Sequence, residues 1–257
     1  MPPSDALAAL RWQIELGADE ALSDAPQDRL AVSPPSAAAR PAAPLVPPAA
    51  AALLPVSSAT ALAAAADTLD ALCAAIAGFT GCALSVTATR PVLPTGDPRA
   101  GLLLIGEAPS DTDDREGRPF TGPAGAMLDQ MLASIGLDRD HLILAPLIPW
   151  RPPGGRVPST AERALGLPFL LRLIALVQPR RVVLLGALAA RDFLGAANRR
   201  VPRAAWHPLA LPDLPPIPAL ATEDPGFLLR NPGPSRRRAW ADLRLLRRTL
   251  DDDLTKS

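Results

Sequence analysis

The chain has 257 residues, 48% of them hydrophobic, which gives room for one α/β domain of ordinary size and a further flexible segment. Its formal net charge is zero, so no global field favours nucleic acid or an anionic membrane. Lys256 is the sole lysine, and the Arg bias fits a GC-rich genome as well as it fits phosphate recognition.

Residues 5–22, DALAALRWQIELGADEAL, carry apolar residues at helical spacing behind a capping Asp5, so a helical segment is expected within 1–30. Charges interrupt that apolar stretch, and it does not read as a signal peptide. Seven prolines fall between Ser33 and Val56, which predicts an extended linker over 31–56. The folded domain is expected over 57–252, followed by a short tail, 253–257. Within it a helix is expected from Ala59 to Gly78, and TGCALSVTA (80–88) as a turn into an extended segment. GLLLIGE (101–107) reads as a buried parallel strand and PAGAMLDQMLASIGL (123–137) as a helix with Pro123 in its first turn. HLILAPLIP (141–149) is a second strand, and 159–179 a helix capped by Ser159 or Thr160. Residues 180–195 run from strand straight into helix, 217–224 form a last short strand, and 235–254 a closing amphipathic helix. This alternation predicts a three-layer α/β/α sandwich around a central, mostly parallel sheet. No run of about eighteen apolar residues is free of Pro and charge, so no membrane span is expected. Cys73 and Cys82 are too few for a structural zinc site or an iron–sulfur cluster, and they read as small thiols in a reducing compartment. A cytoplasmic monomer is the expectation.

Ligands of parallel sheets bind where strands end in loops at the carboxyl edge. The loop after the first strand, GEAPSDTDDREGRPFTGPAG (106–125), packs five acidic residues. A calcium loop fails on spacing, with Gly122 where the bidentate Glu belongs. GK[ST] is absent, and GPAG is not G-x-G-x-x-G. On composition alone a solvated acidic turn remains.

The order of residues adds to that. Gly106-Glu107-Ala108-Pro109, Asp113-Asp114 and Gly117-x-Pro119-Phe120-x-Gly122-x-x-Gly125 together resemble the first motif of uracil-DNA glycosylases of the bacterial and archaeal family 4 type. RPPGGRVPSTAE (151–162), VVLLG (182–186) and GFLLRNP…RRRAWADL (226–243) are similar to later segments of that family, in its order. The resemblance spans roughly 65–250 and implies an enzyme that flips a deoxyuridine out of DNA and hydrolyses its glycosidic bond. It implies that Phe120 stacks on the base, that Glu107 positions water and favours the sugar cation, and that backbone N–H groups around Gly106, Ala108 and Pro109 hold a uracil carbonyl. The Gly122–Gly125 turn, Arg151 and Arg230 would meet DNA phosphate. Asp113 and Asp114 are expected to brace the loop or face solvent.

Three departures from the family pattern stand out. Phe79, Trp150 and Gly166 occupy three of its four cluster-cysteine positions and only Cys82 remains, so no iron–sulfur cluster and no other cofactor or metal is expected, with Trp150 filling the vacated volume. Pro146 stands at the Asn that reads uracil's edge, a loss of about 1–3 kcal/mol of discrimination. Asp224 stands at the His that hydrogen-bonds the leaving uracil, a loss of about a hundred- to thousandfold in rate unless the carboxyl is protonated. His207 in AWHPLAL is not the expected replacement, being a surface-loop residue, and His141 is expected to be structural. Three readings follow: a glycosylase of low activity acting on uracil or another damaged base, a non-catalytic DNA- or protein-binding descendant, and a scaffold role for the Arg-rich final helix.

Overall fold

The computed structural model describes residues 56–195, 202–212 and 214–256. The expected N-terminal helix and nearly all of the expected linker lie outside the described residues.

The domain opens with helices α1 (Val56–Ala65) and α2 (Leu69–Gly78), where the sequence suggested one continuous helix. The break is chemical: Thr68 leaves helical geometry and its hydroxyl accepts the Ala71 N–H at 3.1 Å, a cap that outweighs the helix preference of the flanking alanines. The end of α1 is tied down by Arg172, whose Nε donates to the Ala66 carbonyl at 2.6 Å. The segment expected as a turn into extended chain holds a short helix, α3 (Ala83–Thr87), with the Ser85 and Thr87 hydroxyls bonding back to the Cys82 and Leu84 carbonyls.

Six strands follow: β1 (Thr95–Gly96), β2 (Leu102–Gly106), β3 (Ile143–Pro146), β4 (Arg181–Leu185), β5 (Trp206–Leu211) and β6 (Leu214–Thr222). Their spatial order is β1-β3-β2-β4-β6-β5; the four central strands are parallel and both edges antiparallel. Alternate side chains divide between two cores, as the pleat requires. Leu103, Ile105, Val182 and Leu184 face one layer with α1, α2, α6 (Thr160–Val177) and α7 (Ala187–Leu194). Leu102, Leu104, Val183 and Leu185 face the other, with α5 (Gly122–Ala133), α8 (Pro225–Arg230) and α9 (Pro234–Lys256). The expected three-layer α/β/α sandwich is therefore the fold.

Edge strand β5 was not expected, and β6 starts at Leu214 rather than 217; the stretch carries prolines 208, 212, 215, 216 and 218, which are unfavourable in strands. Pro208 pairs with Pro218 on the edge ladder, where a missing N–H is tolerated. The acidic loop also differs: Asp111–Glu116 is a helical turn, α4, capped by Ser110.

Because β3 and β4 flank β2 on opposite sides, the chain leaves β2 in one direction and returns in the other. That reversal opens a crevice at the carboxyl ends of β2 and β4.

Candidate active site

The crevice holds a cavity of about 350 Å³ lined by Gly106–Asp111, Phe120, Pro146, Arg151, Leu188, Asp224 and Arg230, among others. Its size is at the lower end of the range for small-ligand pockets. Glu107, Asp224, Gly106, Ala108, Pro109, Phe120, Pro146, Arg151 and Arg230 meet here, whereas Gly122 and Gly125 do not line the cavity.

Glu107 follows directly on β2 and is half-buried. Its Oε1 accepts the Leu188 N–H at 2.7 Å, so the first turn of α7 fixes the carboxylate from across the crevice. The approach requires Gly186: at φ +108°, a Cβ there would lie 2.3 Å from Glu107 Oε1. Burial raises the Glu107 pKa; the Leu188 N–H opposes that, the nearby Asp224 charge adds to it, and Arg191 and Arg230 oppose it.

Asp224 comes from the loop after β6 and caps α8, its Oδ1 accepting the Phe227 N–H at 2.8 Å. Burial raises its pKa too, against the Phe227 N–H and the positive charge of Arg230. Of the four carboxyls that line the cavity, Glu107, Asp111, Asp113 and Asp224, burial makes Glu107 and Asp224 resist ionisation, with the charge of Asp224 adding to the effect on Glu107 and that of Asp113 to the effect on Asp224.

Phe120 is 8% exposed, and its backbone adopts the left-handed region at φ 54°, which is uncommon for a bulky residue. Its ring lies over the end of β2, so close that a Cβ on Gly106 would be 2.5 Å from the ring tip. Two clamps hold this conformation. Asp113 Oδ1 accepts both the Thr121 N–H (2.6 Å) and the Thr121 hydroxyl (2.7 Å), while Arg139 Nη2 donates to the Phe120 carbonyl at 2.7 Å. Asp113 also completes a capping box with Ser110, and Asp114 takes the Thr89 N–H and hydroxyl at 2.9 and 2.8 Å. Both acids brace the loop.

The backbone donors are fewer than the sequence suggested. Pro109 has no N–H, and the Ser110 N–H goes to Asp113 Oδ2 at 2.8 Å, which leaves Ala108 in that segment unpartnered among the described residues. Gly125 is buried and its N–H goes to the Thr121 carbonyl at 3.4 Å; the open donors at the start of α5 are those of Gly122 and Ala124. Pro146 ends β3 opposite Gly106 and presents an apolar wall. Arg151 Nε is buried and has no hydrogen-bond partner among the described residues, and its Nη1 lies 3.4 Å from Asp111 Oδ1. Arg230 is exposed at the rim.

Neither histidine lines the cavity. His207 sits on edge strand β5, not in a loop, with Nε2 3.0 Å from the Pro202 carbonyl, and His141 is exposed beside Asp138. Sequence reasoning missed Gly186, Leu188 and Arg139. A Gly between a strand and a helix is a legible signal for the first, whereas Leu188 acts only through its backbone.

The fold is of the doubly wound α/β class, with carboxylates and an aromatic ring lining a cavity at its switch point. Residues 93–244 match the model of the Uracil DNA glycosylase superfamily, and the chain belongs to that superfamily. It is similar to the type-4 uracil-DNA glycosylase of Thermotoga maritima, 31% identical over 159 residues, which cover 62% of this chain and 82% of the relative. The corresponding protein of Pyrobaculum aerophilum is 34% identical over 105 residues, 41% of this chain and about half (54%) of the relative. That of Archaeoglobus fulgidus is 35% identical over 125 residues, 49% of this chain and 63% of the relative.

The family resemblance implies an iron–sulfur cluster, and the residues at its four positions do not fit one. Phe79 and Trp150 stack at 5.5 Å between ring centroids, and Phe169 meets them edge-on at 5.3 and 6.2 Å. All three are at most 2% exposed. Gly166 offers no side chain, and a Cβ there would lie 3.2 Å from Ile148. Cys82 supplies one thiol where a cluster needs about four ligands.

Proposed function

We propose that this protein is a DNA glycosylase that hydrolyses the bond between deoxyribose and a flipped-out uracil or other damaged base, slowly and without a metal or cofactor. The observation that carries this reading is the convergence of Glu107, Asp224 and Phe120 on one cavity at the sheet's switch point. A base entering it stacks on Phe120, worth about 1–3 kcal/mol, and meets the Ala108 N–H. As the C1′–N1 bond breaks, its electron pair leaves with the base and the sugar becomes a cation. Ionised Glu107 stabilises that cation and takes a proton from the water that adds to C1′. Protonated Asp224 donates a hydrogen bond, then its proton, to the departing base. Arg151 and Arg230, with the open N–H groups of Gly122 and Ala124, hold the flanking phosphates. The domain acts as a cytoplasmic monomer over 57–252; Cys73 and Cys82 are both unpaired thiols, which suits a reducing compartment.

The test is strand scission by alkali after incubation with a uracil-containing single-stranded oligonucleotide. Scission by the parent protein and none by Glu107→Gln is the expected result; equal scission by both overturns the assignment.

A second reading has its own observation. Pro146 supplies no polar atom to the base edge, and Asp224 when ionised repels the leaving anion. Both fit a descendant that binds DNA without cleaving it. Retained DNA binding with no scission over hours favours this reading. A Pro146→Asn, Asp224→His double variant that gains activity favours an impaired but intact pocket.

A further inference from the structure

Helix α9 buries Ala239, Asp242, Leu243 and Leu246 against the sheet. On its opposite side Arg237, Trp240, Arg244 and Arg248 recur at intervals of three and four residues. At about 100° per residue they share an arc of about 80°, and at about 1.5 Å rise they extend about 16 Å along the axis. Trp240 is 45% exposed, the largest side chain among the exposed hydrophobics. Arg237, Arg244 and Arg248 meet no carboxylate among the described residues, whereas their neighbours are committed: Arg238 to Glu223 and Arg247 to Asp251. Arg247 Nη1 also donates to the Ile135 carbonyl at 3.3 Å, pinning α9 to the segment that follows α5. Between them runs an open groove of about 630 Å³ lined by Ser134–Gly136, Trp240, Arg244 and Arg248.

An exposed indole flanked along one helix face by guanidiniums that meet no carboxylate among the described residues has the chemistry of an aromatic platform between phosphate contacts. We infer that the Arg237–Trp240–Arg244–Arg248 stripe is a second nucleic-acid surface, holding single-stranded DNA outside the base pocket by phosphate pairing and one stacked base. One feature sets its direction. The start of α9 at Pro234 follows closely on α8, whose Arg230 stands at the pocket rim. Strand bound on the stripe therefore leads toward the cavity. The inference rests on DNA being the substrate, and its test is separable because it uses DNA without uracil.

Binding of a fluorescent oligothymidylate is measured by anisotropy across a salt series. Arg244→Ala/Arg248→Ala is expected to weaken binding at least tenfold and to lower the salt slope by about 1.4, at about 0.7 per lost phosphate contact. Trp240→Ala is expected to weaken it about five- to a hundredfold, with Trp240→Phe recovering most of the loss. All three variants lie on the surface and are expected to melt like the parent. Unchanged affinity and slope in the Arg pair overturns the inference, as does loss of all oligothymidylate binding on Phe120→Ala alone. A change in sedimentation with DNA binding intact also overturns it, marking the stripe as a contact between copies. If base release from uracil-containing DNA persists while the stripe variants bind normally, the stripe fails and the glycosylase reading stands.

Discussion

At the scale of single residues, the proposed chemistry turns on two carboxyls in opposite protonation states. The proposed mechanism asks for Glu107 ionised and Asp224 protonated; burial raises the pKa of both. A bell-shaped dependence of rate on pH is expected, with apparent values that belong to the pair. Asp224→Asn provides the sharper check. Asn caps a helix as well as Asp does, so the bond from Phe227 N–H survives. Its amide keeps a hydrogen-bond donor at every pH but has no proton to give, so the rate should be lower than the parent's and without the alkaline fall. Stability carries the same signature. A carboxyl whose folded pKa is raised stabilises the protein below its unfolded value of about 4, and that contribution is lost as pH rises through the folded value. Asp224→Asn should therefore melt above the parent at neutral pH, with the difference closing in acid. At this scale the sequence was largely legible: Glu107, Phe120, Pro146 and Asp224 do share one cavity. Backbone partners such as the Leu188 N–H were not, because a side-chain pattern carries no record of which amide faces which acid.

At the scale of elements, the site depends on two junctions under constraint. The β4–α7 turn carries Gly186 at φ +108° against the Glu107 carboxylate. Gly186→Ala is expected to cost about 1–3 kcal/mol by thermal melting and to displace Glu107, so that base release falls while binding of uracil-free DNA is retained. The α4–α5 loop holds Phe120 in its left-handed backbone through Asp113 and Arg139. Removing the partly exposed guanidinium with Arg139→Ala should lower stability by about 1 kcal/mol and weaken base binding more than it slows the chemical step. The elements were legible where periodicity was strong and lost where local polar chemistry or proline intervened. Thr68 splits an alanine-rich helix, Ser110 turns an acidic loop into α4, and the prolines of 208–218 conceal an edge hairpin whose ladder does not need their missing donors.

At the scale of the whole molecule, two cores are sealed on opposite faces of one sheet, and α9 closes the second. Its register is fixed from the sides by Arg181 bonding Asp253 at 2.6 and 2.8 Å and by the Trp206 indole donating to Thr249 at 3.0 Å. The first core is closed by the Phe79–Trp150–Phe169 rings, and Trp150→Ala is expected to cost about 3–5 kcal/mol by denaturant melts, with loss of near-UV dichroism. The sandwich itself was readable from strand–helix alternation alone. The position of the edge strands was not, since pairing order is set by contacts distant in sequence.

The aromatic closure has a consequence for how the protein matures. On the proposal that the domain holds no cluster, its keystone is made of side chains alone, so folding needs no iron and oxidants find no cluster to attack. Chain synthesised under iron chelation should leave the column colourless, melt at the temperature of chain made in iron-replete medium, and withstand peroxide without unfolding.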